Sequence, residues 1–187
     1  MGLLRERFGQ QVQGAIRRYP EGRQASAVLS LLYLAQTAYG HLSDEAVTEV
    51  AEILDMSPTH VRGLAGFYTL LRERPHGGYL IQVCTDLSCA LRGAEDVLEK
   101  LCAKVGAQPG ETSPDGLFTV ERVMCLAACD RAPVMQVNLE YFYDLTEDQL
   151  DEIIEELRRA AADGPERRPP FGFGPPSEMT TGESRSG

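Results

Sequence analysis

The sequence is short of positive charge: 18 Lys and Arg stand against 28 Asp and Glu, for a formal net charge of −10. A surface of that sign repels phosphate backbones and anionic lipid, so neither nucleic acid nor a membrane surface is an expected partner. No apolar run approaches the ~18 residues of a membrane span, so direct membrane insertion is not expected. The opening MGLLRERFGQQ has charges where a secretory signal needs an apolar stretch. Glu6 stands where a myristoylation signal needs Ser or Thr. The expected location is the cytoplasm. The sequence lacks G-x-G-x-x-G and a phosphate-binding loop, so nicotinamide and flavin have no recognisable site in it. It lacks Cys-x-x-Cys, which excludes a thioredoxin-type dithiol. The three histidines, His41, His60 and His76, are scattered, and none pairs with a cysteine at the spacing of mixed His/Cys cluster ligation.

What is present suits one ordinary domain, or a small one with an appended subdomain: 187 residues, 43% of them hydrophobic, with no internal repeat. Three parts are distinguishable. Residues 1–74 read as a helical subdomain. Val28, Leu31, Leu32 and Ala35 share one helical face, and Gly40 is a stop signal. Ser43 caps a second helix with Asp44 and Glu45 in its first turn, and Pro58 opens a third at the position where its missing N–H costs nothing. Phe67 and Tyr68 are expected in the core.

Residues 75–162 alternate strands and helices. The expected strands are Tyr79 to Thr85, Leu117 to Met124 and Pro133 to Leu139, with Tyr141 to Tyr143 as a hairpin partner. The expected helices run from Leu91 to Val105 and from a Thr146 cap through Leu157. Strand–helix–strand implies a parallel crossover, and the hairpin adds antiparallel strands, so the fold class is α/β with a small mixed sheet. The acids Glu147, Asp148, Asp151, Glu152, Glu155 and Glu156 read as a solvated helix face. Residues 163–187 are dense in Pro, Gly and Ser and are expected to be disordered.

The chemistry lies in the cysteines. In a reducing cytoplasm, disulfides are disfavoured and metal or cluster binding becomes the leading use of paired thiols. Four residues separate Cys84 from Cys89, and three separate Cys125 from Cys129. Each pair lies where an expected strand ends, so both fall on loops at one end of the sheet, the usual ligand edge of open α/β sheets. A [2Fe–2S] cluster needs four thiolates, two on each iron, and two loops can each clamp one iron. The expected site is therefore Cys84, Cys89, Cys125 and Cys129. Backbone N–H groups of those loops, and of the helix opening near Leu91, would offset the cluster's negative charge. Structural zinc also takes four cysteines, usually in tighter knuckles, and spacing alone leaves it open. Cys102 lies on the apolar face of its helix and reads as a core thiol.

Residues 83–99 (VCTDLSCALRGAEDVLE) and 110–138 (GETSPDGLFTVERVMCLAACDRAPVMQVN), with SPTHVRGLAGFYTLL and YDLTEDQLDEIIEEL, resemble the thioredoxin-like [2Fe–2S] subunit of the NADH-oxidising module of respiratory complex I. The resemblance covers roughly residues 15–160. It implies a helical N-terminal region followed by a thioredoxin-like [2Fe–2S] ferredoxin domain. Cys84 and Cys89 would bind one iron, and Cys125 and Cys129 the other. It also implies docking on a larger subunit that holds FMN and the NADH site, alongside further iron–sulfur subunits. The chain would then be peripheral on the cytoplasmic side of the inner membrane, held there by partners. Equivalent subunits occur in NAD-linked formate dehydrogenases and hydrogenases, an alternative that sequence separates poorly. A zinc-stabilised interaction module is the rival of another class. One departure is visible: the family often has Gly where Ala127 stands. Ala fits there if φ is negative, whereas a tight loop approaching a cluster favours Gly.

Overall fold

The computed structural model describes residues 2–162, which fall into two compact units, residues 2–75 and 76–162. The expected disordered tail lies outside the described residues. None of their helices is long and apolar enough to cross a membrane.

The first unit is helical: α1 (Leu3–Arg17), a 3-10 turn at Gln24–Ala27, α2 (Val28–Tyr39), α3 (Asp44–Leu54) and α4 (Pro58–Phe67). Its core is aliphatic, built from Leu4, Leu31, Leu32, Leu42, Val50 and Val61, all fully buried. Gly40 ends α2 at φ +80, and the Ser43 side chain accepts from the Ala46 N–H, as the sequence predicts. The start of α1 is capped from a distance. The buried Glu49 carboxylate accepts the N–H groups of Leu4 (2.9 Å) and Arg5 (3.0 Å) and the Tyr39 hydroxyl (2.8 Å). Phe67 corrects the expectation of a core ring, being 77% exposed, with Tyr68 partly exposed beside it. The buried positions of α4 are Val61 and Ala65. Two residues past Ala65 is about 200° round the helix, away from that stripe.

The second unit is a four-stranded sheet in the order β2-β1-β3-β4, with β1 at Tyr79–Cys84, β2 at Phe118–Val123, β3 at Met135–Val137 and β4 at Glu140–Phe142. β1 pairs parallel with β2 and antiparallel with β3, and β3 pairs antiparallel with β4, so the mixed sheet is as predicted. All six residues of β1 are buried, as suits a central strand. Tyr79, Ile81 and Val83 pack in one core with Leu98 and Leu101 of α6 (Ala94–Val105) and Leu150, Ile154 and Leu157 of α7 (Glu147–Ala162). The acids of α7 are exposed, and two of them bind lysines of α6: Lys100–Glu147 at 2.6 Å and Lys104–Asp151 at 2.5 Å.

Three elements differ from the sequence reading by more than one residue at an end. The helix expected from Leu91 begins at Ala94, because Gly93 sits at φ +87 and breaks it from a four-residue turn, α5 (Leu87–Ala90). β3 is shorter than expected: Pro133 has no N–H to give the ladder, and Asn138 (φ +46) and Leu139 (φ +74) turn the chain after Val137. Helix α7 continues past Leu157 to Ala162.

Candidate functional site

The parallel register of β1 on β2 sets Cys84 opposite Val123, so both chains leave the sheet at the same edge. Cys84 is the last residue of β1 and is 2% exposed. Asp86 then caps α5, which holds Cys89, also 2% exposed. Beyond β2, the second loop carries Cys125, Leu126, Ala127, Ala128 and Cys129, with Cys129–Arg131 forming a 3-10 turn. Cys125 and Cys129 are exposed. All five cysteines are free thiols.

The structure brings the two loops side by side. The Cys84 thiol donates to the Met124 carbonyl (3.5 Å), one residue before Cys125. Burial pushes the Cys89 thiol up to about 11, with the neighbouring Cys84 thiol adding to the rise. Cys129 is near enough to raise it further, while the Val134 N–H acts in the opposite sense by donating to the Cys89 sulfur. Three of the four expected thiols are thus electrostatic neighbours. The fourth, Cys125, accepts the Ala127 N–H at 3.3 Å. Cys84 and Cys89 share a small apolar cluster with Ala94, Ala132 and Val134, against which Leu126 and Ala128 of the second loop also pack. Cys102 is apart from this group, 6% exposed in the core between sheet and helices, where burial raises its thiol.

Ala127 carries a conformation that its side chain argues against. Its φ is +56, in the left-handed region. The loop therefore requires what Gly gives without strain, and an alanine supplies it. The turn aims the Ala127 N–H back at Cys125.

These donors fit a binuclear cluster. The fit lies in the donor set, two cysteines on each of two adjacent loops. A two-iron rhomb asks for two thiolates at each iron, not four at one point. The charge chemistry also fits: backbone N–H groups meet sulfur on each loop, and small apolar residues bring the backbone close. The helix expected near Leu91 starts at Ala94, five residues after Cys89, and Ala94 packs in the same small cluster as Cys84 and Cys89. Sequence reasoning misses the Val134 N–H, which arrives from the segment before β3. The run Ala-Pro-Val after Cys129 is its only signal, and a run of residue types assigns no role to a main-chain donor.

A family model described as thioredoxin-like [2Fe–2S] ferredoxin matches residues 12–158. The chain belongs to this family. It is 42% identical over 151 residues to an NADH-quinone oxidoreductase subunit of Rhizobium meliloti, covering 81% of this chain and 89% of the relative. It is 42% identical over 140 residues to NADH-quinone oxidoreductase subunit 2 of Thermus thermophilus, covering 74% of this chain and 77% of that one. Among solved structures, an air-oxidized NAD+-reducing [NiFe]-hydrogenase chain superposes with a TM-score of 0.62 at 24% identity, over 76% of this chain. This chain spans 25% of that hydrogenase chain, and the likeness is one of fold.

Proposed function

We propose that this thioredoxin-like [2Fe–2S] protein is an electron-transfer subunit of an NADH:quinone oxidoreductase. Cys84 and Cys89 hold one iron of the cluster, and Cys125 and Cys129 hold the other. One observation carries the reading: two thiol pairs on adjacent loops at one sheet edge, with Cys129 in electrostatic reach of Cys89. The curated relatives at 42% identity support the choice of complex. The domain division, a helical subdomain at 1–74 and a cluster domain at 75–162, belongs to the same proposal.

When bound, the cluster takes up and gives back one electron at a time. The chain's own residues do the rest. β1 and α5 fix the first pair inside an apolar cluster that keeps water off two of the sulfurs. On the second loop the Ala127 N–H donates to the Cys125 sulfur, which helps hold that ligand in place. The sequence offers no catalytic acid, base or nucleophile, and no flavin or nicotinamide motif. NADH yields two electrons together, so a flavin on another subunit must split the pair. The partners are therefore an FMN- and NADH-binding subunit and further iron–sulfur subunits, which hold this chain peripherally at the cytoplasmic side of the inner membrane.

The test is chemical analysis of anaerobically purified chain, with EPR before and after dithionite. About two irons and two sulfides per chain, and a rhombic signal that appears on reduction, are expected. A colourless protein with one zinc would overturn the reading in favour of a zinc-stabilised module. Co-purification decides the complex. A flavoprotein with quinone-reductase subunits supports the proposal, whereas a nickel–iron or molybdenum subunit would assign the chain to an NAD-linked hydrogenase or formate dehydrogenase.

A further inference from the structure

We propose that Arg131 is a positioning residue for the second cysteine loop, clamping it to the segment that leads into α7. The proposal rests on the cluster reading, since that gives a reason to hold Cys129 still. The first pair is immobilised by burial, but Cys125 and Cys129 are exposed. Two residues beyond Cys129, Arg131 is engaged at every level. Its N–H closes the 3-10 turn on the Ala128 carbonyl (3.1 Å), and its own carbonyl accepts the Asp144 N–H (2.9 Å). Its Nε and Nη2 both lie 2.9 Å from Asp144 Oδ2. Its guanidinium sits 4.4 Å from the Tyr143 ring centroid, and that ring stacks on Tyr141 at 5.7 Å. Asp144 adopts φ +51 to present both its N–H and its carboxylate to the one arginine. The Leu145 N–H continues the tie to the Pro133 carbonyl (3.2 Å).

A half-exposed ion pair alone contributes little, about 0–1 kcal/mol. Here it acts with a backbone hydrogen bond and a stacked ring, and the planar fork of Arg serves both partners as Lys cannot. Ligand positions tolerate displacements of only about 0.5 Å, so a loop that frays at Arg131 releases Cys129 first. The charges of Arg131 and Asp144 cancel, which makes the clamp mechanical rather than electrostatic.

The experiment compares Arg131→Ala, Arg131→Lys and Asp144→Asn in the full chain. Hydrogen exchange over residues 125–131 is measured after chelation, and cluster retention and midpoint potential in loaded protein. Both Arg131→Ala and Asp144→Asn should speed exchange of the loop about three- to tenfold and shorten cluster retention, with Arg131→Lys between them and the parent. Because the two variants remove charges of opposite sign, the clamp is read from faster exchange and shorter retention in both, not from the sign of their potential shifts. Unchanged exchange in both variants overturns the clamp. So do opposite potential shifts at unchanged exchange, which would mark Arg131 as a charge acting on the cluster. Parent chain without iron or sulfide would refute the cluster reading separately, and the exchange data would still decide the clamp.

Discussion

Replacing Ala127 by Gly should stabilise the protein, against the usual cost of adding a glycine. The magnitude follows from the backbone. At φ +56 the alanine Cβ crowds its own carbonyl, at roughly 1–2 kcal/mol relative to a residue without Cβ. Glycine returns about 0.4–1 kcal/mol of that through the greater freedom of the unfolded chain. The balance is about 0.5–1 kcal/mol in favour of Gly. For a unit of about 60–100 residues this raises the melting midpoint by about 2–8 °C. The assay is thermal unfolding of chelated chain by circular dichroism, with Ala127→Val as the counterpart. Valine is β-branched and poorly suited to positive φ, so its midpoint should fall. The Ala127 N–H that reaches Cys125 is a backbone group, so it survives in both variants. A Gly variant that melts at or below the parent, or a Val variant that melts with it, would refute the claim that this loop holds its residue in the left-handed region.

Three further outcomes are expected. Glu49→Ala should cost about 2–3 kcal/mol in urea unfolding, because the Leu4 and Arg5 N–H groups and the Tyr39 hydroxyl lose a charged acceptor in a buried place. Burial raises the Glu49 carboxyl, but those donors outweigh it and leave it below the usual range. Its contribution is therefore complete above the unfolded carboxylate value of about 4.3 and is lost as pH falls through the lower folded value. The urea midpoints of parent and Glu49→Gln should converge in acid, and a constant gap down to about pH 2 would contradict this. Gly77→Ala should cost about 1–3 kcal/mol, since a Cβ there would lie 2.8 Å from the Leu117 backbone, which cannot step aside without opening the entry to β2. Equal unfolding midpoints would show that the strand does give way. Asn138→Ala should cost about 2–3 kcal/mol: its side chain accepts the Leu80 N–H (2.8 Å), donates to the Gly78 carbonyl (3.0 Å) and tolerates φ +46. Amide exchange at Leu80 should accelerate in that variant, and an unchanged rate would exclude the side chain as the strand's lock.

The parts of the fold readable in sequence are those whose causes are local. Ser43, Pro58 and Gly40 mark helix ends through contacts within a few residues, so their roles are visible in the residue types alone. The unbroken apolar run of β1 reads as a buried strand, and it is the central one. The start of α1 shows the opposite case. Its cap is Glu49, 45 residues away from Leu4, and no local pattern announces it. Phe67 misleads because a ring near a helix end suggests burial by its size, while its register relative to Val61 and Ala65 turns it outward.

The site divides along the same line. That both cysteine pairs share one end of the sheet follows from strand order and a parallel crossover, both of which alternation of elements suggests. How each sulfur is served does not follow, because the serving groups are main-chain atoms. The Val134 and Ala127 N–H groups could belong to any residue type, and only the path of the backbone aims them at Cys89 and Cys125. Residue identity constrains such positions indirectly, through the conformations a side chain permits. Ala127 is the clearest instance: the family's frequent Gly points to a positive φ, and the alanine points away from it. The backbone adopts the positive φ, so the demand of the loop outweighs the preference of the residue at roughly 1–2 kcal/mol. A local cost of that size persists where the surrounding structure over-determines the conformation. Here the constraints are the packing of Leu126 and Ala128 on the first cysteine pair and the Arg131–Asp144 contact at the loop's far end. Relaxing Arg131 should therefore also reduce the gain from Ala127→Gly, because a freed loop no longer forces residue 127 to positive φ. In a double-mutant cycle of Arg131→Ala with Ala127→Gly, the two effects should be less than additive, and strict additivity would show that the clamp and the strained turn are independent.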